Sequence, residues 1–252
     1  MAAPWWDRGD ARLVTDSVVE INCFVPVKSM EEKALSLGLQ GERSVAFPGP
    51  AGLIEGRVAQ ETSGEEGALA VLHPHPLYGG SMDNNVVETV VLAGQVADLT
   101  TLRFNFRGVG GSQGRHDHGL GEQDDLGASL GFLKERYRPK TTVLVGYSFG
   151  ACVALAYCHR QRHGVDHLFL ISPPPFLLPE DLSLELPVVR KIVLAEEDDI
   201  APPLEVSARV SGPAAPGLIE VIPGADHFYL GREGDVKKLL SGLFDTCMGA
   251  DK

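Results

Sequence analysis

From Gly67 to its end the chain alternates short apolar runs with longer stretches of helical spacing, and nothing else in the sequence restricts the fold as much. "GALAVLH" (67–73), "TTLRFNF" (100–106), "TTVLVG" (141–146), "VDHLFLIS" (165–172), "VVRKIVLA" (188–195) and "GLIEVIP" (217–223) have the length and β-branched content of buried strands. Between or after them, residues 84–99, 121–137, 150–162, 203–210 and 235–247 read as helices. Asp83 is the expected cap of the first. The second carries acids at its start and bases at its end, as the helix dipole prefers. Short connections between such elements require right-handed crossovers, so the expected fold is α/β: a mostly parallel twisted sheet with helices on both faces. "SVAF", "PGPAG" and "LIEGRVAQ" add an antiparallel hairpin at one edge. In sheets of this kind ligands bind beyond the C-terminal ends of the strands.

The alternation divides the chain into residues 1–43, an extension that could pack on the sheet edge, and one domain over 44–252, a size that suits a single α/β core. Within the extension, "VVEINCFVPV" reads as a strand and "SMEEKALSLGL" as a short helix. "SPPPFLLPEDLSLELP" (172–187) is a Pro-rich loop, at most a small lid.

Charge and cysteine usage bound the partners. A net charge of −12 repels nucleic acid and anionic membrane, so neither is expected. No N-terminal signal peptide and no apolar run long enough to span a bilayer is visible. Cys23, Cys152, Cys158 and Cys247 are scattered without a CxxC pair, which favours reduced thiols and the cytoplasm. A homodimer is compatible with the sequence, though no pattern calls for it.

The chemistry concentrates where the strand 141–146 runs into the helix 150–162, at "GYSFG" (146–150). G-x-S-x-G between strand and helix is a nucleophile elbow, in which Gly146 and Gly150 make room for a sharp turn and the helix N-terminus favours negative charge near Ser148. The plain alternative is a small-residue turn with a capping serine. A serine hydroxyl needs a base. His227, after the last strand, completes the chain order serine, acid, histidine. His159, His163 and His167 read as solvated. "AEEDDI" (195–200) supplies Glu196, Glu197, Asp198 and Asp199 at a strand end, and at least three of the four must be ordinary solvated acids. Asp226 adjoins His227 and is poorly placed to reach its ring.

An oxyanion site needs two donors. The backbone N–H of Phe149 is one. The other is expected from "HPHPLYGG" (73–80), where Pro74 and Pro76 have no N–H and Leu77 is the choice, with Gly79 and Gly80 letting the chain pass close to substrate. Phe149, Phe176, Leu177 and Leu178 suggest an apolar acyl pocket.

These pieces together resemble the α/β-hydrolase superfamily, and within it the small dienelactone-hydrolase-like branch that carries HPHP…GG. The matching segments are "HPHPLYGGSMDN" (73–84), "RFNFRGVGGSQG" (103–114), "GYSFG", "AEEDDIAPP" (195–203) and "GADHF" (224–228), spread over about residues 44–247. The resemblance implies a lid-poor serine hydrolase with Ser148, Asp198 and His227 as catalytic triad and no cofactor. It is also what selects Asp198 over Asp199. Ala195 stands where the family commonly has glycine, whereas Asp198 and Pro202 fit.

Other chemistries fit less of the sequence. "RGVGGSQG" misses dinucleotide-binding spacing by one residue; Arg107 there is expected to pair with Asp124 or Asp125. "HPH" (73–75) and "HDH" (116–118) could ligate zinc but leave the elbow unexplained, so no metal is expected. The remaining alternatives are an acyltransferase or lyase using the same triad, and a non-catalytic binding protein on the hydrolase fold.

Overall fold

The structure, a computed structural model, describes residues 41–59, 67–161, 163–178, 184, 186–209 and 215–249. The strand and helix expected within residues 1–40, and most of the 179–185 part of the Pro-rich loop, lie outside the described residues.

Eight strands form one sheet: β1 (Arg43–Gly49), β2 (Gly52–Ala59), β3 (Gly67–Leu72), β4 (Thr100–Phe104), β5 (Thr141–Tyr147), β6 (His167–Ile171), β7 (Val189–Ala195) and β8 (Ile219–Ile222). Their spatial order is β1-β2-β4-β3-β5-β6-β7-β8. The β1–β2 hairpin and its join to β4 are antiparallel, and every pairing from β4 to β8 is parallel. This is the α/β architecture that alternation required, with the hairpin at one edge.

The helices are α1 (Asn85–Val96), α2 (Leu120–Tyr137), α3 (Phe149–Arg160), α4 (Pro203–Ser207), α5 (Ala215–Leu218) and α6 (Glu233–Gly249). Strand residues alternate between two cores. Leu69, Val71, Val143, Val145 and Phe169 face α1 and α6, where Val87, Val91, Leu240 and Phe244 meet them. Ala68, Ala70, Leu72, Leu144 and Leu170 face α2 and α3, where Leu126, Leu130, Ala151 and Leu155 meet them. A period of two within each strand thus builds a core on each side.

Several local expectations change. Asn84, not Asp83, caps α1: its Oδ1 accepts from Val86 N–H at 2.9 Å and Val87 N–H at 3.4 Å. Asp83 instead pairs at 2.9 Å with Arg103, a fully buried guanidinium that also meets Glu42 and Glu88. Buried charge is stable only when so paired and hydrogen-bonded. α4 stops at Ser207 and a helical turn (α5) precedes β8, where the sequence pattern reads one longer helix and one longer strand. Arg107 takes Asp125 in a two-pronged contact at 3.0 and 2.8 Å, while Asp124 goes to Arg160 at 2.7 Å. His167 is not merely solvated; it accepts from Arg190 Nε at 2.8 Å.

Candidate active site

The strand-to-helix turn after β5 is as tight as its glycines suggest. A Cβ on Gly146 would lie 2.4 Å from the Gly150 carbonyl oxygen, and one on Gly150 would lie 2.7 Å from the carbonyl oxygens of Leu72 and His73. The chain leaving β3 therefore rides directly over the start of α3. Ser148 takes φ 55°, ψ −119°, a strained backbone for a residue with a side chain. It is held there by its N–H, which donates to Ile171 O at 2.8 Å.

Two further strand ends deliver partners to this serine. Asp198 lies in the turn after β7 and His227 in the turn after β8, and the two turns are laced together. Glu197 N–H donates to Ala225 O at 2.8 Å, and Gly224 N–H donates to the Glu196 carboxylate at 2.8 Å. His227 Nδ1 is 2.9 Å from both carboxylate oxygens of Asp198, and its Nε2 is 3.0 Å from Ser148 Oγ. All three side chains are buried. Asp199 is exposed and Glu196 is occupied with Gly224, so Asp198 is the acid that reaches the histidine.

The electrostatics follow from these contacts. Burial works to raise the Asp198 pKa, but the hydrogen bond and charge of His227 and the N–H of Ala201 outweigh it, and the carboxyl sits below its ordinary value. Ile200 and Ala201 donate to Oδ1 at 2.9 and 2.7 Å. The acid is thus an anion aimed at Nδ1, which fixes the ring with Nε2 toward the serine.

Three residues that the sequence reading passed over hold this line. Tyr147 Oη donates to the His227 carbonyl at 2.6 Å. Tyr229 Oη and Ser172 Oγ are 2.8 Å apart, and Ser172 also hydrogen-bonds Asp198. Burial, reinforced by neighbouring acids, pushes both phenols up and keeps them protonated. The only sequence signal for them was position: a tyrosine inside the elbow, a serine ending a strand, and a tyrosine two residues past the histidine.

The loop after β3 requires a correction. The N–H of Leu77 donates to His75 Nδ1 at 3.2 Å within a single 3₁₀ turn over Pro76–Tyr78. The N–H groups of Tyr78 and Gly80 go to the His75 carbonyl, and that of Gly79 to the Pro76 carbonyl. Among the described residues, the N–H of His75 has no protein acceptor, and neither has the N–H of Phe149 across from it. The His75 and Phe149 rings lie 4.7 Å apart. Gly80 serves the loop rather than a ligand, since a Cβ there would meet the Pro74 carbonyl at 2.1 Å.

The other candidates separate. His73 is buried, with Nδ1 2.7 Å from Pro74 O and Nε2 accepting from Phe106 N–H at 3.0 Å; burial lowers its pKa to about 4. His75, His116 and His118 meet in tilted and edge-on contacts at ring separations of 5.0 Å, with His116 Nδ1 2.8 Å from Glu122. No group of three or more ligating side chains among the described residues has the geometry to hold a metal ion. Of the expected acyl-pocket residues, Phe149 and Leu178 are buried and Leu177 packs on the core; Phe176 alone is exposed. No helix among the described residues is long and apolar enough to cross a membrane.

A family model described as the alpha/beta hydrolase fold matches residues 76–211. An uncharacterised protein of Rickettsia prowazekii is 37% identical over 211 residues, 80% of this chain and 88% of that one. Among solved structures, an alpha-beta serine hydrolase homologue from Coxiella burnetii is 34% identical with a TM-score of 0.70, covering 79% of this chain and 95% of that one. A Xanthomonas campestris protein described as a serine hydrolase without lid is 28% identical with a TM-score of 0.69, covering 81% of this chain and 93% of that one.

Proposed function

The chain belongs to the alpha/beta hydrolase fold family, and from that premise we propose that it is a serine hydrolase. It cleaves an ester, thioester or related acyl bond of a small molecule through an acyl-enzyme on Ser148. The observation that carries this reading is the unbroken line from the Asp198 carboxylate through His227 to Ser148 Oγ, with steps of 2.9 and 3.0 Å.

In this reading Ser148 Oγ attacks the acyl carbon while its proton passes to His227 Nε2. Asp198 stabilises the imidazolium so formed without taking its proton. The carbonyl oxygen, now negative, is met by the N–H groups of Phe149 and His75 at the start of α3, where the helix dipole adds to them. The tetrahedral species collapses, the leaving group takes the proton from Nε2, and an acyl-serine remains. Water, deprotonated by the same nitrogen, attacks that ester and returns Ser148 to its hydroxyl. The chemistry needs no cofactor or metal.

The HPHP…GG loop supports placing the chain in the dienelactone-hydrolase-like branch. The thiols of Cys152, Cys158 and Cys247 are unpaired, which supports a cytoplasmic setting. The partners proposed are small acyl substrates, not nucleic acid or membrane, with a homodimer left open by the sequence.

The test is turnover of a panel of aryl esters and acyl thioesters by the wild type and Ser148→Ala. Loss of turnover of every cleaved substrate in the variant, with the fold retained, is expected. Activity that survives the substitution contradicts the reading, and a panel cleaved by neither protein favours a non-catalytic role.

A further inference from the structure

Among the described residues, six other than glycine hold a positive φ, and they fall into two classes. Asp98, His118 and Arg138 are exposed and sit at helix ends, where turns commonly take this conformation. Ser148, Ser172 and Tyr229, at φ 55°, 43° and 54°, are buried. Strained backbone persists only where its surroundings enforce it, and it gathers at functional sites. Ser148 is accounted for as the nucleophile. Ser172 and Tyr229 have no such role, yet they meet each other, with Ser172 Oγ 2.8 Å from Tyr229 Oη.

Ser172 directly follows β6 and is tied on several sides. Its N–H donates to Val193 O in β7 at 2.8 Å, and the carbonyl of Ile171, one residue earlier, receives the N–H of Ser148 at 2.8 Å. Its hydroxyl reaches Asp198. The dipeptide Ile171–Ser172 thus touches both the backbone of the nucleophile and the carboxylate of the acid. The hydroxyl has a single hydrogen, and an anionic Asp198 can only accept, so that hydrogen goes to the carboxylate. Tyr229 is then the donor to Ser172 Oγ, since its other acceptor, Val193 O, is farther away at 3.5 Å. Burial keeps the phenol protonated for this purpose. Donation therefore runs from Tyr229 to Ser172 to Asp198, which also accepts from His227 Nδ1.

We propose that Ser172 is a positioning residue for the reaction: its hydroxyl, aimed by Tyr229, holds the Asp198 carboxylate against His227, and its strained backbone is kept for the sake of that hydroxyl. The inference rests on the serine-hydrolase reading. Glycine would hold φ 43° without strain. What glycine lacks is the donor to the acid. The neighbouring Ile171 carbonyl, by holding Ser148, makes the end of β6 the fixed point between acid and nucleophile.

The experiment compares Ser172→Gly and Ser172→Ala with the wild type in the full chain. It reads thermal melting, steady-state hydrolysis of an aryl ester, and the rate at which a fluorophosphonate labels Ser148. Both variants lose the hydroxyl, but only glycine relieves the backbone, so Ser172→Gly is expected to melt about 3 °C or more above Ser172→Ala. Both are expected to lower kcat and the labelling rate about tenfold or more. KM stays within about twofold, because Ser172 is buried and touches no substrate. Tyr229→Phe, which leaves the Ser172 hydroxyl in place, lowers kcat by a smaller factor. A purely structural role gives another pattern: activity follows melting temperature, and Ser172→Gly is the more active variant. That pattern overturns the proposal, as do kcat and labelling rates within about twofold of wild type in both variants. Should Ser172→Ala fail to fold, Ser172→Gly decides alone. A wild type that neither cleaves the ester nor takes the label overturns the hydrolase reading, and the role of Ser172 with it; a labelled wild type with unaltered variants overturns the role of Ser172 only.

Discussion

Two loops at the same edge of the sheet each carry a buried histidine, and the two rings have opposite fates. After β3, His73 sits between backbone groups: Nδ1 against the Pro74 carbonyl, Nε2 against the Phe106 N–H. Neither partner can take or give a proton, so the ring is a fixed neutral brace. After β8, His227 sits between an anion and a hydroxyl, Asp198 and Ser148. There the ring can accept a proton from one side because a negative charge waits on the other. Burial is the same in kind at both sites. The difference lies in what each nitrogen touches, and it separates a bracing histidine from the proposed catalytic base.

The comparison breaks if the two rings prove interchangeable in function. His227→Ala is expected to lower turnover on the order of a million-fold, while His73→Asn lowers it by less than about a hundredfold per folded molecule. Steady-state kinetics with the folded fraction measured by circular dichroism decide this. Next in size, Asp198→Asn removes the anion and is expected to cost on the order of ten-thousand-fold in kcat. Asp199→Asn, one residue away and exposed, leaves turnover within about twofold. Equal effects at the two aspartates would contradict the assignment of the acid.

The brace itself makes a prediction about stability. The His73 pKa falls from 6.5 to about 4 on folding, so between these values the unfolded chain holds a proton that the folded one does not. Its contribution to stability is complete above pH 6.5 and is lost as pH falls toward 4. At about 1.4 kcal/mol per pH unit, the loss is about 3 kcal/mol. Urea unfolding at pH 7.5 and 4.5 should show a smaller difference for His73→Asn than for the wild type by this amount; identical differences would remove His73 as the cause.

The smallest effect sharpens the other side. Tyr147→Phe deletes the donor to the His227 carbonyl and leaves that oxygen buried and unpaired, at a cost of about 1–3 kcal/mol in stability. A fall in kcat of about tenfold with KM unchanged is expected if the bond also aims the ring. A loss of stability alone would make Tyr147 purely structural.

Much of this was legible in the sequence because it was written in local signals. The alternation of apolar runs and helical stretches implied a parallel sheet, and the two glycines around Ser148 implied a turn that only glycine permits. What was not legible depended on distant partners or on a choice among equivalent groups. Asp83 and Asn84 are both good caps, and the choice went to Asn84 because buried Arg103 claims Asp83. Leu77 looked like the free donor of its loop, yet the ring of His75 bends back onto that N–H and occupies it. Tyr229 and Ser172 are 57 residues apart in sequence, so only the folded chain reveals that they meet. Asp198 was separated from Asp199 by resemblance alone; the reason it reaches His227 is the pair of bonds that lace the β7 and β8 turns.

The central claim is that one oxygen, Ser148 Oγ, is made nucleophilic by His227. Fluorophosphonate labelling of the full chain, with the modified peptide located by mass spectrometry, tests it most directly. The account predicts a single adduct on Ser148, absent from Ser148→Ala and slowed by orders of magnitude in His227→Ala. Labelling at another residue, or labelling of Ser148 at an undiminished rate without His227, would contradict it.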